Sequence, residues 1–202
     1  MKQKFYPVIC AIVIALSFLS NTVIAQSLLT NTTFDADLPL PAEVTTGLSV
    51  QLTDKWLVAF DYNYTLWSAY QSLDVKFDNG LPTSVNPRNY KNASTYRIGT
   101  QYKASEKFTV RAGYYFDESP VQDGYFAPET PRNDSNAFTG GLTYQLNDKF
   151  GIDVSFLYIH FDEIDNSYDH STDPISGQAN PSFGGTYKSV VFSPGIGITY
   201  GF

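Results

Sequence analysis

Few residues of this chain have the types and spacing that catalysis requires. The histidines are His160 and His170, and neither belongs to a G-x-S-x-G, H-E-x-x-H or phosphate-loop motif. Ser155 precedes His160 by five positions, so on a strand the two side chains point to opposite faces and cannot form a nucleophile–base pair. The sequence therefore predicts neither an enzyme nor a cofactor-binding protein.

An acidic stretch, FDEIDNSYDHSTD at residues 161–173, could in principle hold calcium, because Ca²⁺ prefers carboxylate and carbonyl oxygens. It lacks the spaced ligands and the central glycine of a dedicated calcium loop. A solvated loop is the better interpretation, and no metal site is predicted.

The charged residues of most interest lie at polar positions within stretches that alternate polar and apolar residues. An arginine there could hold a ligand carboxylate by charge-assisted hydrogen bonds, or it could form an ion pair with a nearby aspartate. The two interpretations concern Arg97 and Arg111 as ligand-binding residues, and Asp61, Asp117 and Asp153 as ion-pair candidates.

The N-terminus has the features of a secretory signal peptide. Lys2 and Lys4 precede an apolar run of about a dozen residues that ends near a V-x-A cleavage site, Val23-Ile24-Ala25. The run is short for a membrane span, although a retained signal anchor is the alternative. We expect cleavage after Ala25, which leaves a chain without cysteine, since Cys10 lies in the removed segment.

The composition of the chain after residue 25 excludes some partners and favours strands with one apolar face. Without Lys2 and Lys4 the chain has 11 basic and 20 acidic residues, a formal charge of −9, so no nucleic-acid partner is expected. Apolar residues recur at every second position in seven segments, which is the period of a strand. These segments are 43–52, 56–66, 96–102, 108–117, 137–146, 152–158 and 189–202.

Both a soluble β-sandwich and a membrane barrel would show this alternation. Strands of about ten residues exceed the usual five or six and match the length that crosses a bilayer at a tilt. Aromatic residues crowd the strand ends, where interfacial girdles lie, and the polar face is rich in Gly, Ser and Thr. The aromatic positions are Trp56, Tyr102, Phe108, Tyr144, Phe150 and Tyr200. We therefore predict an all-β, antiparallel transmembrane barrel of outer-membrane type, with about seven or eight strands in this chain.

The connections divide into two classes. Three turns are short and carry an acid, a lysine and an aromatic residue in that order, as in LTDKW, KASEKF and LNDKF. Outer-membrane barrels have short periplasmic turns and long external loops, so the long connections 79–92, 117–134 and 162–185 should lie outside the cell. A bulge or kink is expected near residues 67–71. Pro194 lacks an N–H and could mark a bulge or an opening between strands, and a harmless proline at a sheet edge is the favoured alternative.

Several segments resemble the FadL/TodX-type outer-membrane family, most specifically TLWS at residues 65–68 and FDESPV at residues 116–121. The resemblance extends from about Asp37 to Phe202 and covers the C-terminal half of the family. It implies a place in the outer membrane of a Gram-negative bacterium, with barrel-insertion machinery and membrane lipid as partners. The terminal GIGITYGF resembles the assembly signal of such barrels, through Gly197, Tyr200 and Phe202.

The family resemblance also implies a function and a gap. The family transports long-chain fatty acids and other hydrophobic compounds through a fourteen-stranded barrel with an N-terminal plug, and nothing here resembles the plug or the first strands. The expected organisation is a signal peptide at 1–25, an extended segment or extra strand at 26–41, and a barrel domain at 42–202. An eighth strand could close a small barrel, or two chains could close one together. The alternatives to passive uptake are a small structural or surface-binding barrel and a shortened, non-transporting product.

Overall fold

A computed structural model describes residues 32–127, 132–173 and 176–201. This part of the chain contains β-strands and one short 3₁₀ turn at Trp67–Ala69. Within it, no helix has the length and apolar character to cross a membrane. The strands are β1 (Phe34–Ala36), β2 (Glu43–Thr53), β3 (Trp56–Thr65), β4 (Val75–Phe77), β5 (Ala93–Lys103), β6 (Phe108–Asp117), β7 (Ser135–Asn147), β8 (Phe150–Tyr168) and β9 (Phe183–Tyr200).

Seven of these strands form one antiparallel sheet in the order β2-β3-β5-β6-β7-β8-β9. Each pairs with its neighbour along the chain, with the small strand β4 set apart. Three connections between paired strands are tight: β2 to β3, β5 to β6 and β7 to β8. They coincide with the three short turns predicted from the sequence and all lie at one end of the sheet, as the periplasmic end of an outer-membrane barrel requires.

The register gathers the apolar residues on one face. Phe60 lies between Leu48 and Ile98 on the neighbouring strands, and Ile98 lies beside Tyr114. Aromatic rings meet across strands, with centroids 5.2 Å apart for Tyr62–Tyr96 and 4.8 Å apart for Phe108–Tyr144. Most of these side chains are exposed in the chain alone, and Tyr62 and Tyr114 are half-buried, as expected of a surface that faces lipid. The predicted all-β, antiparallel sheet with one apolar face is confirmed.

The long connections pack together at the other end of the sheet. Tyr70, Tyr90, Phe126 and Tyr168 are buried there, and the Arg88 guanidinium carbon lies 5.4 Å from the centroid of the Tyr168 ring. The Tyr168 hydroxyl donates a hydrogen bond to the Pro87 carbonyl at 3.0 Å. This external region therefore has a small core of its own, which ties the connection between β4 and β5 to the external end of β8.

The segment before β2 is held in this external region. Strand β1 pairs with β4, with Phe34 opposite Phe77, and the Thr33 hydroxyl hydrogen-bonds to Asp78. Residues 34–36 therefore lie against an external connection and not in the seven-stranded sheet. The predicted signal peptide and the start of the 26–41 segment fall outside the described residues.

The structure contains one of the two interruptions of the strands that the sequence suggested. The 3₁₀ turn at Trp67–Ala69 interrupts the chain where a break was predicted near residues 67–71. Pro194 marks no bulge, because it pairs with Phe156 in a ladder that is continuous from Ser189 to Tyr200. This agrees with the favoured alternative, a proline at an edge position. The register shifts instead between Phe161 and Ile164.

The external connection predicted at residues 162–185 is shorter in the structure, where it lies between Tyr168 and Phe183. Past the irregularity at Phe161–Ile164, β8 and β9 stay paired as far as Tyr168 and Phe183. At the tip, hydrogen bonds from Ser182 and Ser167 lower the pKa of Asp169, so that its carboxylate stays charged. The hairpin extends the two strands beyond the apolar band because backbone pairing needs no apolar alternation.

Two strands of the sheet have an edge that no described residue pairs with. A hydrogen bond from Leu66 N to the Ala42 carbonyl shows which residues of β2 bond to β3. In an antiparallel ladder the alternate residues, such as Thr45 and Gly47, direct their N–H and C=O to the outer edge of β2. The bond from Gly201 N to the Lys149 carbonyl does the same for β9. Pro194 lies at a position whose N–H would face that outer edge, and this explains why the ladder with β8 is unbroken.

The number of strands constrains what can cover these edges. Seven antiparallel strands in sequence leave β2 and β9 running in the same direction. A strand that pairs with either edge in the antiparallel sense must run the other way. The β2 edge of one copy could meet the β9 edge of a second copy only as a parallel pair.

Ile98 and Gly99 offer a direct test of the two faces, because they are adjacent in β5 and point to opposite sides. The Ile98 side chain is 51% exposed on the apolar face, whereas Gly99 lies on the polar face with ordinary space around it. Ile98→Arg should lower the free energy of unfolding in membranes by about 2–4 kcal/mol, since arginine near the bilayer midplane costs that much. Gly99→Arg should change it by less than about 1 kcal/mol in a wet lumen. Urea titration of both variants in lipid vesicles measures the difference, and equal values would contradict the assignment of faces.

Candidate functional site on the inner face

The face opposite the apolar one contains a band of small side chains across the sheet. Neighbours on successive strands are Gly99, Gly113 and Thr139, with Ala59 on one side. On the other side the larger Leu157 separates Thr139 from Ser193. A groove of about 920 Å³ lies along this band. The sequence pattern predicted the polar face but not the groove, since it forms only when the register places small residues side by side.

Arg111 is built into a hydrogen-bond network on the periplasmic side of the groove. Its Nε donates to Gln101 Oε1 at 2.8 Å and its Nη1 donates to Thr143 Oγ1 at 2.6 Å. Thr143 in turn donates to Asp153, which also accepts a hydrogen bond from Thr199 at 3.0 Å. Arg111 and Asp153 are therefore joined through Thr143, and both side chains are occupied by structural contacts.

Arg97 lies on the external side of the groove in a different setting. It is directly opposite Asp61 in the ladder, yet the two do not form an ion pair. Asp61 leans the other way, over Gly47, where a Cβ atom would lie 2.2 Å from Asp61 Oδ1. The guanidinium of Arg97 is exposed and lines the groove. Of the two predicted arginines, Arg97 is thus the one available to a ligand.

Asp117 forms an ion pair with a residue that the sequence analysis did not select. Arg132 contacts the Asp117 carboxylate, and Thr95 Oγ1 donates to Asp117 Oδ1 at 2.6 Å. Arg132 was missed because it lies in a long connection, where no alternation indicates the direction of a side chain. The cation that pairs with Asp117 is therefore neither Arg97 nor Arg111, the two arginines selected from the sequence.

The remaining predicted residues are placed as follows. Ser155 pairs with Gly141 on the polar face, whereas His160 pairs with Asn136 on the apolar face, so the two cannot act together. Gly197 and Tyr200 lie near the end of β9, and Phe202 lies outside the described residues. Among the described residues, no group of His, Cys, Asp and Glu has the arrangement of a metal site.

Comparison with known proteins identifies the family. The model of the outer membrane protein transport family, OMPP1/FadL/TodX, matches residues 14–202. The chain belongs to the FadL/TodX family. It is an outer-membrane protein with the antiparallel strands of that family's barrel, so the family and the cellular location predicted from the sequence are confirmed.

Curated relatives are longer than this member of the FadL/TodX family. Outer membrane protein P1 of Haemophilus influenzae is 29% identical over 151 residues, which is 72% of this chain and 33% of P1. The long-chain fatty acid transport protein of Escherichia coli O6:H1 is 30% identical over 110 residues, which is 54% of this chain and 25% of that protein. The chain thus matches about a third or less of the length of these relatives.

Solved structures of family members share the fold. A Pseudomonas aeruginosa FadL homologue superposes with a TM-score of 0.72 at 23% identity, over 83% of this chain and 37% of the homologue. The Pseudomonas putida toluene transporter TodX superposes with a TM-score of 0.60 at 20% identity, over 84% of this chain and 37% of TodX.

The contrast between the two arginines predicts different effects on stability. Arg111→Met removes two side-chain hydrogen bonds and should lower the free energy of unfolding by about 1 kcal/mol, a modest value because the guanidinium is exposed. Arg97→Met should change it by less than about 0.5 kcal/mol. Denaturant titration of both variants in the same vesicles checks the difference. A larger loss for Arg97→Met would show that Arg97 has a structural partner.

Proposed function

We propose that the chain contributes the inner wall of a passive uptake pathway for hydrophobic compounds across the outer membrane. Membership of the FadL/TodX family supports this function, and so do the names of the fatty acid transport protein and the toluene transporter among its relatives. The groove of about 920 Å³ on the inner face is the observation that carries the proposal. A volume of this size lies within the usual range for sites that hold small apolar ligands.

The groove combines apolar surface with one available cation. Leu57, Ala59 and Leu157 lie along it, and the glycines let a ligand approach the backbone closely. Arg97 at its external side could hold the carboxylate of a fatty acid by charge-assisted hydrogen bonds, while the alkyl chain lies along the small residues. Arg111 was the other predicted ligand-binding residue, and its hydrogen bonds to Gln101 and Thr143 make it the weaker candidate.

The pathway needs export, insertion and a closed wall. A signal peptide at residues 1–25 would direct export, and Gly197, Tyr200 and Phe202 would present the assembly signal to the barrel-insertion machinery. Membrane lipid would cover the apolar face. A second copy of the chain is one candidate for the missing wall, with parallel seams, and further strands between β2 and β9 are the other.

The packed external region favours a second candidate function. The buried cluster of Tyr70, Tyr90, Phe126 and Tyr168 gives the external connections a defined surface. Such a surface suits a structural or surface-binding barrel that transports nothing.

Arg97→Ala tests the uptake proposal. Loss of a hydrogen bond to a charged group costs about 1.5–3 kcal/mol, so binding of a long-chain fatty acid to outer membranes that contain the chain should weaken roughly ten-fold or more. Arg111→Ala should weaken binding by less than about three-fold, and Arg97→Lys, which keeps the charge, should recover part of the loss. Titration with a fluorescent fatty acid, with membranes that lack the chain as reference, provides the values. Unchanged binding in Arg97→Ala would remove Arg97 from the site, and no binding above the reference would favour the non-transporting candidate.

A further inference from the structure

A second, polar pocket of about 250 Å³ lies at the external end of the inner face. The external ends of β2, β3, β5 and β6 form its walls, and Trp67 and Arg132 contribute from the connections. Arg97 lines both this pocket and the groove. A molecule whose tail lies in the groove can therefore place its polar end in the pocket.

One wall of the pocket is a set of neutral hydrogen-bonding groups around Glu43. Asn63, only 7% exposed, donates to Glu43 Oε2 at 3.2 Å and to Thr45 Oγ1 at 2.9 Å. Thr65 Oγ1 donates to Asn63 Oδ1 at 2.9 Å. These contacts hold the Glu43 carboxylate at the pocket without neutralising its charge, because Asn63 and the threonines are uncharged.

On the opposite wall, by contrast, the carboxylates are compensated. Asp117 is paired with Arg132 and accepts a hydrogen bond from Thr95, which is 8% exposed. Glu118 forms an ion pair with Lys91 at 3.4 Å and accepts a hydrogen bond from Ser94 N at 3.1 Å. Each acid on this side therefore has a cation of its own.

Among the described residues that line the pocket, one anion and one cation remain to face it. Glu43 can only accept hydrogen bonds when ionised, and Arg97 can only donate them. A bare carboxylate would satisfy Arg97 and be repelled by Glu43. A hydroxyl group both donates and accepts, so a head group with two or more hydroxyls satisfies both residues without a net charge.

We propose that the pocket binds the neutral, hydroxylated head group of an amphiphile whose alkyl tail lies in the groove, as in a monoacylglycerol. This inference rests on the proposed function and specifies its substrate class. In this arrangement Arg97 donates to one head-group oxygen, and Glu43 accepts from a hydroxyl. The groove recognises the tail by its apolar surface alone.

The test compares two probes of equal chain length, a monoacylglycerol and the corresponding fatty acid, in outer membranes that contain the full chain. Unaltered membranes should bind the monoacylglycerol more tightly, by roughly ten-fold, because one more hydrogen bond to a charged group is formed. Glu43→Val should remove that preference by weakening the binding of the monoacylglycerol about ten-fold. It should leave the binding of the fatty acid equal or stronger, since a repelling carboxylate is gone.

Glu163→Val is the matched control. Glu163 is an exposed acid in β8 whose ion-pair partner is Lys188, and it does not line the pocket, so binding of both probes should be unchanged. Equal or weaker binding of the monoacylglycerol in unaltered membranes, or a parallel loss of both probes in Glu43→Val, would overturn the inference. In either case Arg97-dependent binding of the fatty acid would leave the proposed function standing. Binding of neither probe would overturn both.

Discussion

Every backbone N–H and C=O of this chain that lies in the membrane needs a hydrogen-bond partner within protein, because lipid offers none. The fold follows from that constraint. Long antiparallel strands pair all their interior groups, the alternation places one side chain in lipid and the next on the inner face, and tight turns return the chain at the periplasmic end. The same constraint makes the outer edges of β2 and β9 the least stable feature of the sheet. Each unpaired group in lipid costs several kcal/mol, so two bare edges together would exceed the ~5–15 kcal/mol of net stability that a domain has.

The inner face shows how this scaffold leaves room for a ligand. The register places glycine, alanine, serine and threonine in one band, and charged residues border it on both sides. On the periplasmic side Arg111 is held by Gln101 and Thr143, so its hydrogen bonds link β6 to the strands on both sides. On the external side Arg97 faces Asp61 without pairing to it, because Asp61 occupies the space above Gly47. Arg111 is thus a structural residue because its neighbours bond to it, whereas Arg97 is available because Asp61 does not.

The sequence was sufficient for the parts of the fold that depend on period and turn chemistry. The seven strands, their two faces and the tight turns follow from alternation and from the acid–Lys–aromatic turns. The contact of β1 with β4 and the packing of Tyr168 against Arg88 join residues far apart in the chain, and no local pattern encodes them. The extension of β8 and β9 was missed since pairing continues there without apolar alternation. Arg132, which binds Asp117, was missed because it lies in a long connection, where no alternation indicates the direction of a side chain. The groove depends on the register of several strands at once.

We expect the chain to have no bare sheet edge while it is in the membrane. The most direct test is the electrophoretic mobility of the chain from outer membranes, before and after boiling, with mild crosslinking. All of the inserted chain should migrate as a compact, heat-sensitive species, whose mass shows whether one chain, two copies or additional strands complete the wall. An inserted chain that migrates as an unfolded monomer without boiling, and forms no crosslinked species, would contradict it.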